Sequence, residues 1–142
     1  MTTMGRAERG TGLLGTTIGL AAVVAMLGFA ANVALGLWAR STIDSIAYDA
    51  ARSVATAPGT GTTDASALSA RSRAEGEAIT SATQLLGPIG NAVQMQFESG
   101  DPDWVVLHVR APGVSLLPRV IGGGPVVGST DRRIMIRREG LR

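Results

Sequence analysis

Three regimes of polar and apolar patterning follow one another along the chain. From Thr11 to Trp38 the run TGLLGTTIGLAAVVAMLGFAANVALGLW contains no charged residue and no proline. From Ile43 to Val54 the apolar residues Ile43, Ile46, Ala47, Ala50, Ala51 and Val54 recur at spacings of three and four. That is one face of a helix, with Asp44, Ser45, Asp49, Arg52 and Ser53 on the others. Nothing breaks the helix between these regimes, and Pro58 is the first residue that stops it, so one helix is predicted over residues 11–57. At 1.5 Å per residue it is roughly 70 Å long. A bilayer core takes about 20 apolar residues as a helix. The first half of the helix is therefore expected to cross a membrane, with length to spare for tilt. The second half is expected to offer its apolar stripe to a domain outside.

After the connector PGTGTT, Asp64 is placed to cap a second helix over residues 65–86. Leu68, Ala78, Ile79, Ala82, Leu85 and Leu86 keep helical spacing, and Arg71, Arg73, Glu75 and Glu77 are expected to form a solvated face. Gly87-Pro88 ends this helix, glycine past the last turn and then proline.

The period then changes from 3.6 to 2. Val93, Met95 and Phe97 alternate with Gln94, Gln96 and Glu98, which predicts a half-buried strand. SGDPD is read as a hairpin loop. In WVVLHVRA, Val105, Leu107 and Val109 share one face, with Trp104, Val106, His108 and Arg110 on the other. A glycine-rich apolar connection leads to DRRIMIRRE, a third strand with Ile134 and Ile136 on one face. The expected class is α+β: a long transmembrane helix extended outside the membrane, a second helix, and a small three-stranded antiparallel sheet. The parts are a leader (1–10), the transmembrane and extended helix (11–57) and an extracytoplasmic domain (58–142).

Charge sets the expected orientation. The leader carries Arg6, Glu8, Arg9 and the terminal amine, about +2 in all. Arg40, Asp44, Asp49 and Arg52 cancel on the far flank. The positive-inside rule places the N-terminus in the cytoplasm and the C-terminal domain outside the cell membrane. A secretory signal peptide has an apolar core of about 7–15 residues. This run is far longer, with no breaker after it, so an anchor is expected, with cleavage at the alanine-rich steps near Ala30 and Ala34 as the alternative.

Chemistry is sparse. There is no cysteine, which excludes a disulfide framework and thiolate metal sites. His108 is the only histidine, with no second ligand at metal spacing. Gly122-Gly123-Gly124 lacks the lysine and hydroxyl of a phosphate loop. No nucleophile elbow occurs. Neither catalysis, nor a cofactor, nor a metal is expected. The basic C-terminal stretch from Asp131 lacks the aromatic platforms that nucleic-acid binding calls for. The apolar run carries more information. Gly15 and Gly19 form a G-x-x-x-G pair, and Gly12, Thr16 and Ala22 widen the small face, a candidate for helix packing in lipid. Asn32 is its one strongly polar side chain. It is expected either to bond across a helix interface or to be hydrated at the outer headgroups.

The order of these features resembles the type IV pilins and pseudopilins, and more narrowly the TadE/TadF-like minor pilins of the tight-adherence (Flp-type) pilus and secretion machinery. The residues that carry the likeness are Glu8-Arg9-Gly10 ahead of the apolar run, and Asp49-Ala50-Ala51-Arg52 in the alanine-rich continuation. Leu116-Leu117-Pro118, Gly122-Gly123-Gly124 and the final strand with Met135, Arg137 and Glu139 complete it. The resemblance implies cleavage by a prepilin peptidase after Gly10, leaving Thr11 as the new N-terminus. It also implies a structural or assembly role beside other pilin-like subunits. Family members usually carry glutamate five residues after the cleavage glycine, often with an aromatic next, where this chain has Gly15 and Thr16. The other function class is a membrane-anchored extracytoplasmic binding or regulatory module that enters no filament.

Overall fold

The computed structural model describes residues 9–58, 64–98, 103–115 and 128–138, with backbone alone for residues 9–13. The leader through Glu8, most of PGTGTT, most of the SGDPD loop and residues 116–127 lie outside the described residues. The fold is α+β. Helix α1 (Arg9–Thr56) is followed by α2 (Ala65–Leu86), a short 3-10 helix (Gly87–Ala92), and strands β1 (Gln94–Glu98), β2 (Trp104–Ala111) and β3 (Thr130–Arg137). The strands form an antiparallel sheet in the order β1-β2-β3.

α1 is a single helix of 48 residues. No proline lies within it, and its glycines are isolated, so no turn lacks its backbone bond. It ends at Thr56, before Pro58. α2 starts after Asp64, whose backbone is extended and whose carbonyl accepts from the Leu68 N–H at 3.0 Å. The Asp64 side chain makes no capping hydrogen bond, contrary to the expected cap. Gly87 closes the helix with φ +57, a left-handed backbone that an alanine adopts only with strain. Its N–H donates to the Gln84 carbonyl.

Proline after that glycine does not begin a loop. Pro88 sits in the first turn of the 3-10 helix, where a missing N–H has no cost and φ is already set. Residues 91–93 thus precede the strand, and β1 starts at Gln94. Gly90 is required there, since a Cβ at this position would meet the Thr83 carbonyl oxygen and come within 3.2 Å of Leu86 Cβ.

The core lies between the outer half of α1, α2 and one face of the sheet. Ile43, Ala47, Ala50, Ala51, Val54 and Ala55 of α1 meet Ala78, Ala82 and Leu86 of α2. Alanines dominate both sides, so the helices approach closely. The sheet supplies larger groups: Val105, Leu107 and Val109 are buried, with Met95, Phe97, Ile134 and Ile136 packed against the cluster. Phe97, Leu107 and Ile134 stand opposite one another in register, one inward-facing row across all three strands. Fully burying Leu107 contributes about 1.5–3 kcal/mol. Val106 is also buried, although it points to the outer face with His108 and Arg110. Its register partners are Glu98 and Met135, long side chains that flank a short one.

The charged face expected on α2 is divided. Arg71 and Glu75 form a 2.6 Å ion pair that is largely covered, and Arg71 Nη2 also donates to the Glu98 carbonyl at 3.1 Å. Arg73 and Glu77 are exposed.

Candidate functional site on the long helix and the outer sheet face

α1 changes environment along its length while keeping one backbone geometry. From Leu14 to Ala31 its side chains are exposed, among them Ile18, Leu20, Val23, Val24, Met26, Leu27 and Phe29. A helix with so much bare apolar surface is not stable in water alone. By length and composition it is the one helix among the described residues able to cross a membrane. Gly15 and Gly19 lie on this segment, and a Cβ built at either meets nothing within 4 Å. Both are free to admit a neighbouring backbone. Gly10, Thr11 and Gly12 belong to the first turns of α1, and only their backbone is described. The bond between Gly10 and Thr11 is therefore helical rather than extended.

From Leu14 onward, Asn32 is the first buried residue of α1, only 1% exposed. Gly36, Ala39 and Ile43 continue the covered face at spacings of four, three and four. The structure thus places Asn32 inside its own chain, apart from the Gly15 and Gly19 surface. A carboxamide enclosed by protein is stripped of water as a lipid-facing one is, and hydrogen-bonding groups of the protein are what offset that cost.

The outer sheet face gathers the polar side chains. Glu98 is its centre: His108 Nε2 lies 2.9 Å from one carboxylate oxygen, without the alignment of a hydrogen bond, and Arg133 Nη2 binds the other. Arg110 reaches Asp131 through Nη2 at 3.1 Å and Nε at 3.3 Å. These groups are 40–70% exposed, so each pair contributes about 0–1 kcal/mol. Gln94, Gln96, Glu98, His108, Arg110 and Asp131 line a shallow depression. In register His108 faces Gln96 and Arg133, and no hydroxyl group shares its row. No cluster of three metal-ligating side chains occurs among the described residues. The face suits hydrogen bonding to a polar partner. Period-2 patterning already put His108 and Arg110 on one side. The pairing with Glu98 and Arg133 depends on strand register, which the sequence does not print.

No protein-family model matches the chain, and neither a characterised protein nor a solved structure matches it significantly.

Proposed function

We propose that this chain is a single-pass membrane protein of the TadE-like minor pilin or pseudopilin kind, a structural or assembly subunit of a tight-adherence pilus or secretion apparatus. The observation that carries the reading is α1. One uninterrupted helix is bare and apolar in its first half and is the spine of a small α+β domain in its second. That division suits a subunit held in the membrane and presented to neighbours. The motif order described above agrees with it, as does the glycine surface left open at Gly15 and Gly19. In this reading the N-terminus is cytoplasmic, the domain lies outside, and a prepilin peptidase and other pilin-like subunits are the partners. Deleting the chain in its own host is the test, with surface fibres scored by electron microscopy. Loss of fibres, restored by the wild-type chain, supports the assignment. Undiminished fibres and secretion rule it out.

A second reading has its own support. The bare segment carries no acidic residue, and Gly15 stands where the resembling family has glutamate. A helix without that carboxylate remains in the bilayer as a plain anchor, and the polar outer sheet face then becomes the working surface. Capture of a cell-envelope partner that is lost on Arg133→Glu, with fibres intact, favours this alternative.

A further inference from the structure

The two sides of α1 mark different heights. On the covered side, protein begins at Asn32 and continues through Gly36, Ala39 and Ile43. On the opposite side the surface stays apolar for longer: Ala34, Leu37 and Trp38 are exposed, Leu37 by 56% and Trp38 by 59%. It turns polar only at Ser41, Ser45 and Asp49, all exposed. Residues 32–38 therefore carry protein on one side and bare apolar surface on the other. That stretch rises about 10 Å. The headgroup layer on one side of a bilayer is roughly 5–8 Å thick. Helical side chains also lean toward the N-terminus, so Leu37 and Trp38 reach below their own backbone.

The same level is the lower end of the whole domain. Gly36, Ala39 and Ile43 line a crevice with Pro112, Gly128 and Thr130. Pro112 and Thr130 line the next one with Ala92 and Gln94. The end of β2 and the starts of β1 and β3 thus gather where the bare helix emerges. The far end is held by Arg71, early in α2, on the Glu98 carbonyl. Trp104 starts β2 at that far end, about 23 Å along the strand from Ala111.

We infer that the domain is seated in the outer headgroup layer of the bilayer, with Asn32 at the hydrocarbon boundary and Leu37 and Trp38 against lipid. The inference rests on the reading that the bare segment spans a membrane. The partner is the lipid surface itself: an amphipathic indole at headgroup depth is the residue such a layer favours. Below the boundary, Leu14 to Ala31 runs about 27 Å, close to the thickness of a hydrocarbon core.

The chain holds two tryptophans, which makes the test internal. Trp104→Phe leaves Trp38 as the reporter, and Trp38→Phe leaves Trp104. Each full-length variant is reconstituted in phosphatidylcholine–phosphatidylglycerol vesicles, and flotation establishes membrane insertion. Emission is then quenched with lipids brominated high in the acyl chain and, separately, with aqueous acrylamide. Trp38 should be quenched several-fold more by the brominated lipid than Trp104 and should emit at shorter wavelength, while Trp104 should respond mainly to acrylamide. If Trp38 in floating protein behaves like Trp104, the domain stands clear of the bilayer and the inference is overturned. Trp38 shielded from both quenchers means a protein neighbour covers it, which also overturns it. Protein that fails to float removes the membrane reading as well, so the two failures are distinct.

Discussion

Arg71 Nη2 donates to the Glu98 carbonyl at 3.1 Å, tying the start of α2 to the last residue of β1. The guanidinium also pairs with Glu75, and both side chains are largely covered. Arg71→Ala should therefore destabilise the domain by about 1–2 kcal/mol, the worth of a charged hydrogen bond discounted for partial exposure. Arg73→Ala, two residues on and exposed, should stay within about 0.5 kcal/mol. Thermal unfolding in detergent separates the two, and equal effects would count against a structural role for Arg71.

Ala51 is fully buried in the core that α1 shares with α2 and the sheet. Ala51→Leu should cost about 1–3 kcal/mol, because a fully enclosed methyl leaves no room for three more carbons. Tyr48→Leu, on the exposed side of the same helix, should be close to neutral. Urea unfolding followed by circular dichroism measures both. A stable Ala51→Leu protein would mean that the core around Ala51 is less tightly packed than the structure has it.

Two glycines should respond to alanine in opposite directions. Gly90→Ala drives a Cβ onto the Thr83 carbonyl oxygen and should destabilise by about 1–3 kcal/mol. Gly76 lies in the middle of α2 with nothing within 4 Å of its would-be Cβ. There alanine should stabilise by up to about 1 kcal/mol, through helix propensity alone. Melting temperatures that move the same way for both would contradict this.

Gly15→Leu with Gly19→Leu should leave the domain folded and weaken association in membranes. Neither glycine touches the domain, and leucine side chains would hold a second backbone away. Crosslinking in membranes is compared with protease resistance of the domain. Association equal to the parent's would make the segment a plain anchor.

The purified protein should begin at Thr11 where a prepilin peptidase is active. The Gly10–Thr11 bond sits at the start of α1, ahead of the bare segment, and on the proposed orientation an enzyme at the inner membrane surface would meet it there. Intact-mass measurement decides, and retention of Met1 or Thr2 beside active peptidase refutes it.

The elements were legible in the sequence because each rests on local rules. The absence of any breaker before Pro58 gives α1, and helical spacing bounded by Asp64 and Gly87 gives α2. The alternation through Met95, Phe97, Leu107 and Ile134 gives the sheet and its inner face. What stayed hidden depends on partners distant in the chain. Arg71 looks like any solvated helix charge until β1 arrives beside it. Asn32 looks like a polar flaw in a lipid segment until the fold leaves it only 1% exposed. Gly87-Pro88 reads as a stop, yet the same proline geometry also starts the 3-10 helix that delays β1 to Gln94. On the outer face, Glu98, His108 and Arg133 meet only through the register of three strands.

The uninterrupted backbone of α1 has a mechanical consequence. From Arg9 to Thr56 there is no hinge at which tilting of the inner half could be absorbed. The outer half is built into the core shared with α2 and the sheet, and Arg132 Nη2 lies 3.5 Å from Asp44 in a partly exposed pair. Bare segment and domain thus turn as one lever, and on the proposed membrane reading the bilayer is its fulcrum. A neighbour that tilts the inner arm by about 20°, an ordinary transmembrane inclination, swings the far end of an outer arm some 35 Å long through roughly 12 Å. On that reading the bare segment aims the domain as well as holding it.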